Sequence, residues 1–235
     1  MINIKRLFFI STLLSCFFIT SNLNAQKINQ FDNNKKRTGI WKKYHPNKRI
    51  RYTGQFKNGK EVGVFKFYHI TTSKFPSILK TFSESSDSVF VQFFTRKGTL
   101  ESKGYLLGKK RVGTWEYYFP SGKLMSKEQY KNGVLDGELI NYYPDGVITE
   151  KSNYKNGLLH GTSQKYSSRS ILIEEVAFLN GKPNGVAKYF ELNGNLKETG
   201  VYKNGKRVGK WEYYLEGEIA TDEEKKKINK FSKKN

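Results

Sequence analysis

The chain is poor in the residues that build reactive centres. It has one cysteine, two methionines, three histidines and five prolines in 235 residues, and its only long apolar run lies within the first 20. A lone thiol, Cys16, excludes an internal disulfide framework. His45, His69 and His160 fall in three separate stretches, and none has a second histidine at metal-ligand spacing. There is no Gly-x-Ser-x-Gly, no His-Glu-x-x-His and no phosphate loop ending in Lys-Ser/Thr. The adjacent acids Glu174-Glu175 and Glu223-Glu224 point apart on a strand, which is wrong for a paired-carboxylate mechanism. The expectation is a protein that is not an enzyme and uses no cofactor or metal.

Residues 1–25 read as a Sec signal peptide, with Lys5 and Arg6 followed by an apolar run from Leu7 to about Thr20 and a small residue, Ala25, at the cleavage point. The rival reading is a lipoprotein signal at Leu13-Leu14-Ser15-Cys16. Export to the periplasm or the extracellular space is therefore expected. Acidic residues are the scarce charge, 21 against 42 Lys and Arg. Removing the signal takes away two basic groups and leaves a net charge of +19. Such an excess favours anionic partners and opposes self-association. Hydropathy is low, yet there are 15 Tyr, 17 Phe and three Trp, so the chain folds around an aromatic core rather than staying disordered.

Glycine recurs at Gly39, Gly63, Gly113, Gly137, Gly161, Gly185 and Gly209, in steps of 24 residues apart from one double step of 50. Two residues after each glycine, or its equivalent, come Trp41, Phe65, Val91, Trp115, Leu139, Ser163, Ala187 and Trp211. Three further on stand Tyr44, Tyr68, Phe94, Tyr118, Tyr142, Tyr166, Phe190 and Tyr214. An aliphatic follows a turn, and a second aromatic (Phe56, Tyr105, Tyr130, Tyr154, Phe178, Tyr202) closes the unit before an Asn-Gly pair. Turn residues at both ends of two aromatic-rich runs spell a β-hairpin. A fold class follows: all-β, an elongated antiparallel sheet of tandem 24-residue hairpins, with about eight units over residues 26–219 and an irregular stretch at 63–88. Residues 220–235 form either a short helix begun by the capping box Thr221 to Glu224 or a charged tail.

The unit Gly113-Thr-Trp-Glu-Tyr-Tyr-Phe-Pro-Ser-Gly-Lys-Leu124, with Tyr202-Lys-Asn-Gly-Lys-Arg-Val-Gly-Lys-Trp211, resembles the MORN-variant repeat. Bacterial proteins built of such units are often grouped as a YwqK-like antitoxin family. The resemblance implies an open sheet of hairpins that mediates protein interaction or oligomerisation. An antitoxin role would need a toxin outside the cytoplasm.

Two candidate binding surfaces stand out. One is the column Trp115, Leu139, Ser163, Ala187, Trp211, whose shrinking side chains predict a shallow depression about 38 Å long between two indoles. In this reading Ser163→Trp with Ala187→Trp restores the consensus and keeps the fold. The other is a basic rail of inter-unit turns, including Lys109, Lys110, Arg111, Lys206 and Arg207, facing an anionic surface. The expected partner is a protein, with anionic lipid or envelope polysaccharide as alternatives and nucleic acid disfavoured. The function expected is a secreted scaffold for protein or envelope-surface interaction, with an antitoxin-like protein and a binder of anionic lipid or glycan as alternatives.

Overall fold

A computed structural model describes residues 27–221, 223 and 224. The expected signal peptide and most of the C-terminal tail lie outside these residues. Hairpin follows hairpin to give one sheet of 17 strands: β1 Gln30–Phe31, β2 Arg37–Tyr44, β3 Ile50–Lys57, β4 Lys60–Phe67, β5 Ile78–Ser83, β6 Ser86–Phe94, β7 Leu100–Leu107, β8 Lys110–Tyr118, β9 Leu124–Lys131, β10 Val134–Tyr142, β11 Ile148–Lys155, β12 Leu158–Tyr166, β13 Leu172–Leu179, β14 Lys182–Phe190, β15 Leu196–Lys203, β16 Lys206–Leu215 and β17 Glu218–Ile219. Each strand pairs antiparallel with its sequence neighbours, so the topology is an open meander. The expected all-β array is what forms.

The turn chemistry explains the connections. Asn132 and Gly133 have φ of 52° and 89°, and the other Asn-Gly pairs match them. These are the left-handed values a two-residue hairpin requires. Each turn is also tied to the unit before it: the Gly133 N–H donates to the Arg111 carbonyl at 2.9 Å, and Gly181 to Leu159 at 2.8 Å. The irregular stretch resolves into two ordinary strands, β5 and β6, reached through a longer loop that carries a His69–Thr72 bridge. Behind β17, Thr221 Oγ1 and the Thr221 N–H both donate to Glu224 Oε2 at 2.8 Å, which forms the expected capping box.

Among the described residues no second layer covers this sheet, and the fully buried side chains line one face of it. Leading glycines such as Gly113 sit in bulges that add two residues to the odd-to-even pairings from β3–β4 onward, between Tyr105↔Val112 and Lys103↔Glu116 in this case. The bulge places Trp115 beside Tyr117 and Tyr130 on one face, with Glu116 and Tyr118 on the other. Trp115 is 2% exposed, Phe65 1% and Val91 0%. The Tyr44 to Tyr214 column lies on the opposite face and is only half-buried, with Tyr44 itself exposed. Tyr105 is a correction to the alignment. It is exposed and pairs with Phe90 on the opposite face, so Leu106 takes the closing position in that unit.

Candidate functional site

Burial of a ring in a single-layer sheet needs support from below and cover from above. Support comes from a glycine on the preceding strand. A Cβ at Gly104 would lie 2.5 Å from the Trp115 ring, one at Gly54 would lie 2.4 Å from Phe65, and one at Gly200 would lie 2.2 Å from Trp211. These rings therefore lie flat across the backbone beneath them. Cover comes from arginine. Arg37, Arg111 and Arg207 each precede a tryptophan by four residues, and their guanidinium carbons stand 4.9, 5.0 and 4.0 Å from the centroids of Trp41, Trp115 and Trp211. Cation–π attraction of this kind is worth about 0.5–2 kcal/mol. Arg111 also donates from Nη1 to the Tyr130 hydroxyl at 3.0 Å, and Arg207 pairs with Glu198.

The middle of the column is built differently, and the expected depression is absent. Leu139, Ser163 and Ala187 are 8%, 4% and 0% exposed. Here the preceding strand carries side chains instead of glycine, with Glu128 beside Leu139, Ser152 beside Ser163 and Val176 beside Ala187. These side chains occupy the space a ring would take. The Ser152 and Ser163 hydroxyls share a hydrogen bond of 2.8 Å, and Ser152 also donates to Glu150 Oε1 at 2.7 Å. Buried serines with satisfied hydroxyls are core, not a groove floor. Burial pushes the Tyr117 and Tyr189 phenols well above their usual range, so both stay protonated.

On the turn edge, the meander does gather the inter-unit lysines into one row. Lys57, Lys60, Lys109, Lys110 and Lys206 are all exposed there. Arg111 and Arg207 leave the row to cover indoles. Lys57 pairs with Glu84 at 2.9 Å, so the β5–β6 turn breaks the run of positive charge. Four central turns add something the sequence reading passed over. Across each turn an aliphatic faces a lysine: Leu107↔Lys110, Lys131↔Val134, Lys155↔Leu158 and Leu179↔Lys182. Leu107, Val134, Leu158 and Leu179 are 48%, 45%, 50% and 45% exposed.

Among the described residues no group of three or more His, Cys, Asp or Glu side chains is placed to hold a metal. His45 Nε2 lies 3.0 Å from the Tyr68 carbonyl and His69 Nδ1 lies 2.8 Å from Thr71 Oγ1, so both imidazoles serve turns. No helix among these residues is long and apolar enough to cross a membrane.

The family model for the MORN repeat variant matches residues 37–58, 111–132, 135–156 and 183–204, each a hairpin from its leading strand to its Asn-Gly turn. This chain is a MORN-variant repeat protein. The matched segments include Arg37 with Trp41 and Arg111 with Trp115, and also Leu139 and Ala187, so both kinds of column residue fall within matched units. No curated protein gives a significant match. Among solved structures, the crystal structure of TarM is 13% identical with a TM-score of 0.28, covering 41% of this chain and 19% of that one. A point mutant of S. aureus TarM in complex with fondaparinux, α-GlcNAc-glycerol and UDP is 15% identical with a TM-score of 0.28, covering 40% and 19%. The MORN-variant chain thus matches about a fifth of either protein's length, and neither likeness carries an argument about fold or activity.

Proposed function

We propose that this is an exported, non-enzymatic scaffold that holds a partner protein outside the cytoplasm. The observation supporting this reading is the allocation of polar groups. On the ring face the Arg111 guanidinium bonds the Tyr130 hydroxyl, Tyr130 donates to Glu128, the Ser152 and Ser163 hydroxyls bond one another, and Arg207 pairs with Glu198. The long edge of turns, carrying lysine and exposed aliphatics, stays accessible. Reactive groups consumed by structure and an extended accessible edge suit binding rather than turnover.

The test is photo-crosslinking in intact cells, with a benzophenone side chain at Val134 or Leu158 on the edge and at Gln164 or Lys127 on the solvent face. The expected result is a discrete protein adduct from at least one position, formed on a chain whose mature N-terminus is Gln26. A chain that keeps residues 1–25 and stays in the cytoplasm, or that yields no adduct from any position, overturns the proposal.

A further inference from the structure

We infer that the turn edge from β7 to β14 is a docking strip for an acidic amphipathic helix. The inference rests on the scaffold reading and names the chemistry of its partner.

The fold alone does not ask for aliphatics in these turns. The same positions in the other turns are Lys57↔Lys60, Ser83↔Ser86 and Lys203↔Lys206, and those hairpins close equally well. Like charges directly across a strand pair are mildly unfavourable, and exposed aliphatics on an edge invite association, so neither choice is made for stability. In four consecutive turns one lysine gives way to Leu or Val, and each replacement stays about half exposed. Small apolar residues spaced singly are ordinary on a surface; four in register, each opposite a lysine, make an amphipathic row.

The row has a period. Each turn lies two strands from the next, which is about 9.6 Å. One heptad of an α-helix advances about 10.5 Å. A helix lying along the edge can therefore set one apolar residue per heptad against Leu107, Val134, Leu158 and Leu179, with acids on either side reaching Lys110, Lys131, Lys155 and Lys182. A partner of this kind reads the row as anchors within a charged frame. A bilayer has no matching period. The observations favour the helix.

The experiment uses the mature chain and a labelled synthetic peptide of four heptads, with Leu once per heptad and Glu flanking it. Controls are a scrambled peptide of the same composition, polyglutamate and vesicles rich in phosphatidylglycerol. Val134→Lys with Leu158→Lys copies the Lys–Lys pairs of the β3–β4 and β15–β16 turns, so folding is preserved and is checked by circular dichroism. The expected result is binding of the heptad peptide about tenfold tighter than the scramble, and a loss of about tenfold or more in the double variant. A strip that recognises charge alone behaves the opposite way: the added lysines strengthen binding, and polyglutamate or vesicles bind as well as the peptide. That outcome, or no binding of the heptad peptide at low salt, overturns the inference. If in-cell adducts form on the solvent face while the peptide fails, the scaffold reading stands and this strip does not carry it.

Discussion

The units ending in a tryptophan and the units between them share a period and a topology, yet they solve the problem of burial in opposite ways. Around Trp115 a large ring rests on a bare backbone at Gly104 and is capped by Arg111. Around Ser163 two small hydroxyls meet edge to edge and nothing needs a cap. The backbone follows the side chains. Leading glycines of the ring units, Gly39, Gly63, Gly113 and Gly209, have φ of 65° to 68°, whereas Gly137, Gly161 and Gly185 have φ of 97° to 122°. A repeat therefore conserves the volume between two strands rather than the residue at one position.

The largest expected effect tests that volume rule. Trp115→Ala should cost about 3–5 kcal/mol in urea denaturation, because the indole is fully buried and Gly104 has no side chain to fill the space. Adding Gly104→Val builds the Val176/Ala187 pairing of the middle units into this one and should recover about 1–2 kcal/mol, measured as the coupling in a double-mutant cycle. Additive losses would mean that the two solutions are not interchangeable. The converse corrects an expectation drawn from the sequence. Ser163→Trp forces a ring across Ser152 and should destabilise by about 1–3 kcal/mol, with Ser152→Gly relieving part of it.

A smaller effect separates the two kinds of bulge. Gly185→Ala places a Cβ 2.9 Å from that of Ala177 at a φ of 117°, while Gly113→Ala meets nothing within 4 Å at a φ of 66°. The second should cost about 1–2 kcal/mol, the left-handed penalty alone, and the first clearly more. Equal losses on thermal melting would show that the difference in φ has no energetic content.

Much of this was legible beforehand. The 24-residue glycine period, the Asn-Gly pairs and the Thr221 to Glu224 capping box led to the strands, turns and terminal cap that form. The ring column was read one position at a time, and its compensation lay elsewhere: glycine occurs eleven residues before Phe65, Trp115 and Trp211, and Lys80, Glu128, Ser152 and Val176 hold that place before the smaller residues. The arginine four residues before every tryptophan was equally visible, but counted as edge charge. Cross-strand pairs are separated in sequence by a bulge of unknown size, so the Ser152–Ser163 contact needs the register before it can be seen. Tyr105 was misplaced because Leu107-Gly108 was matched to the Asn-Gly pairs, whereas the two turn residues are Gly108 and Lys109, between Leu107 and Lys110.

The smallest expected effect concerns the opposite face at the residue after the column position, which is an ionised Glu116 in one ring unit and uncharged in the next two units. Tyr118 donates to Glu116 at 2.5 Å and Lys103 pairs with the same carboxylate at 2.9 Å. The corresponding positions one and two units on are Ile140 and Gln164, and Tyr166 donates to the Gln164 amide at 2.9 Å. The Tyr118 hydrogen bond, and after it that of Lys103, hold the Glu116 carboxyl below the usual carboxylate range. A group whose folded pKa is depressed stabilises fully above its unfolded pKa, about 4.3, and loses that contribution as pH falls through the folded value. Glu116→Gln should therefore cost up to about 1 kcal/mol at pH 7, the range of a partly exposed pair. Toward pH 3 the gap between wild type and variant should close, while Ile140→Ala, which removes no polar group, should cost the same at both pH values. Hydrogen exchange would locate in β7 to β9 the part of the acid-induced loss that Glu116→Gln abolishes. A gap that persists at low pH would assign the contribution of Glu116 to packing, and the two regions would then differ only on the ring face.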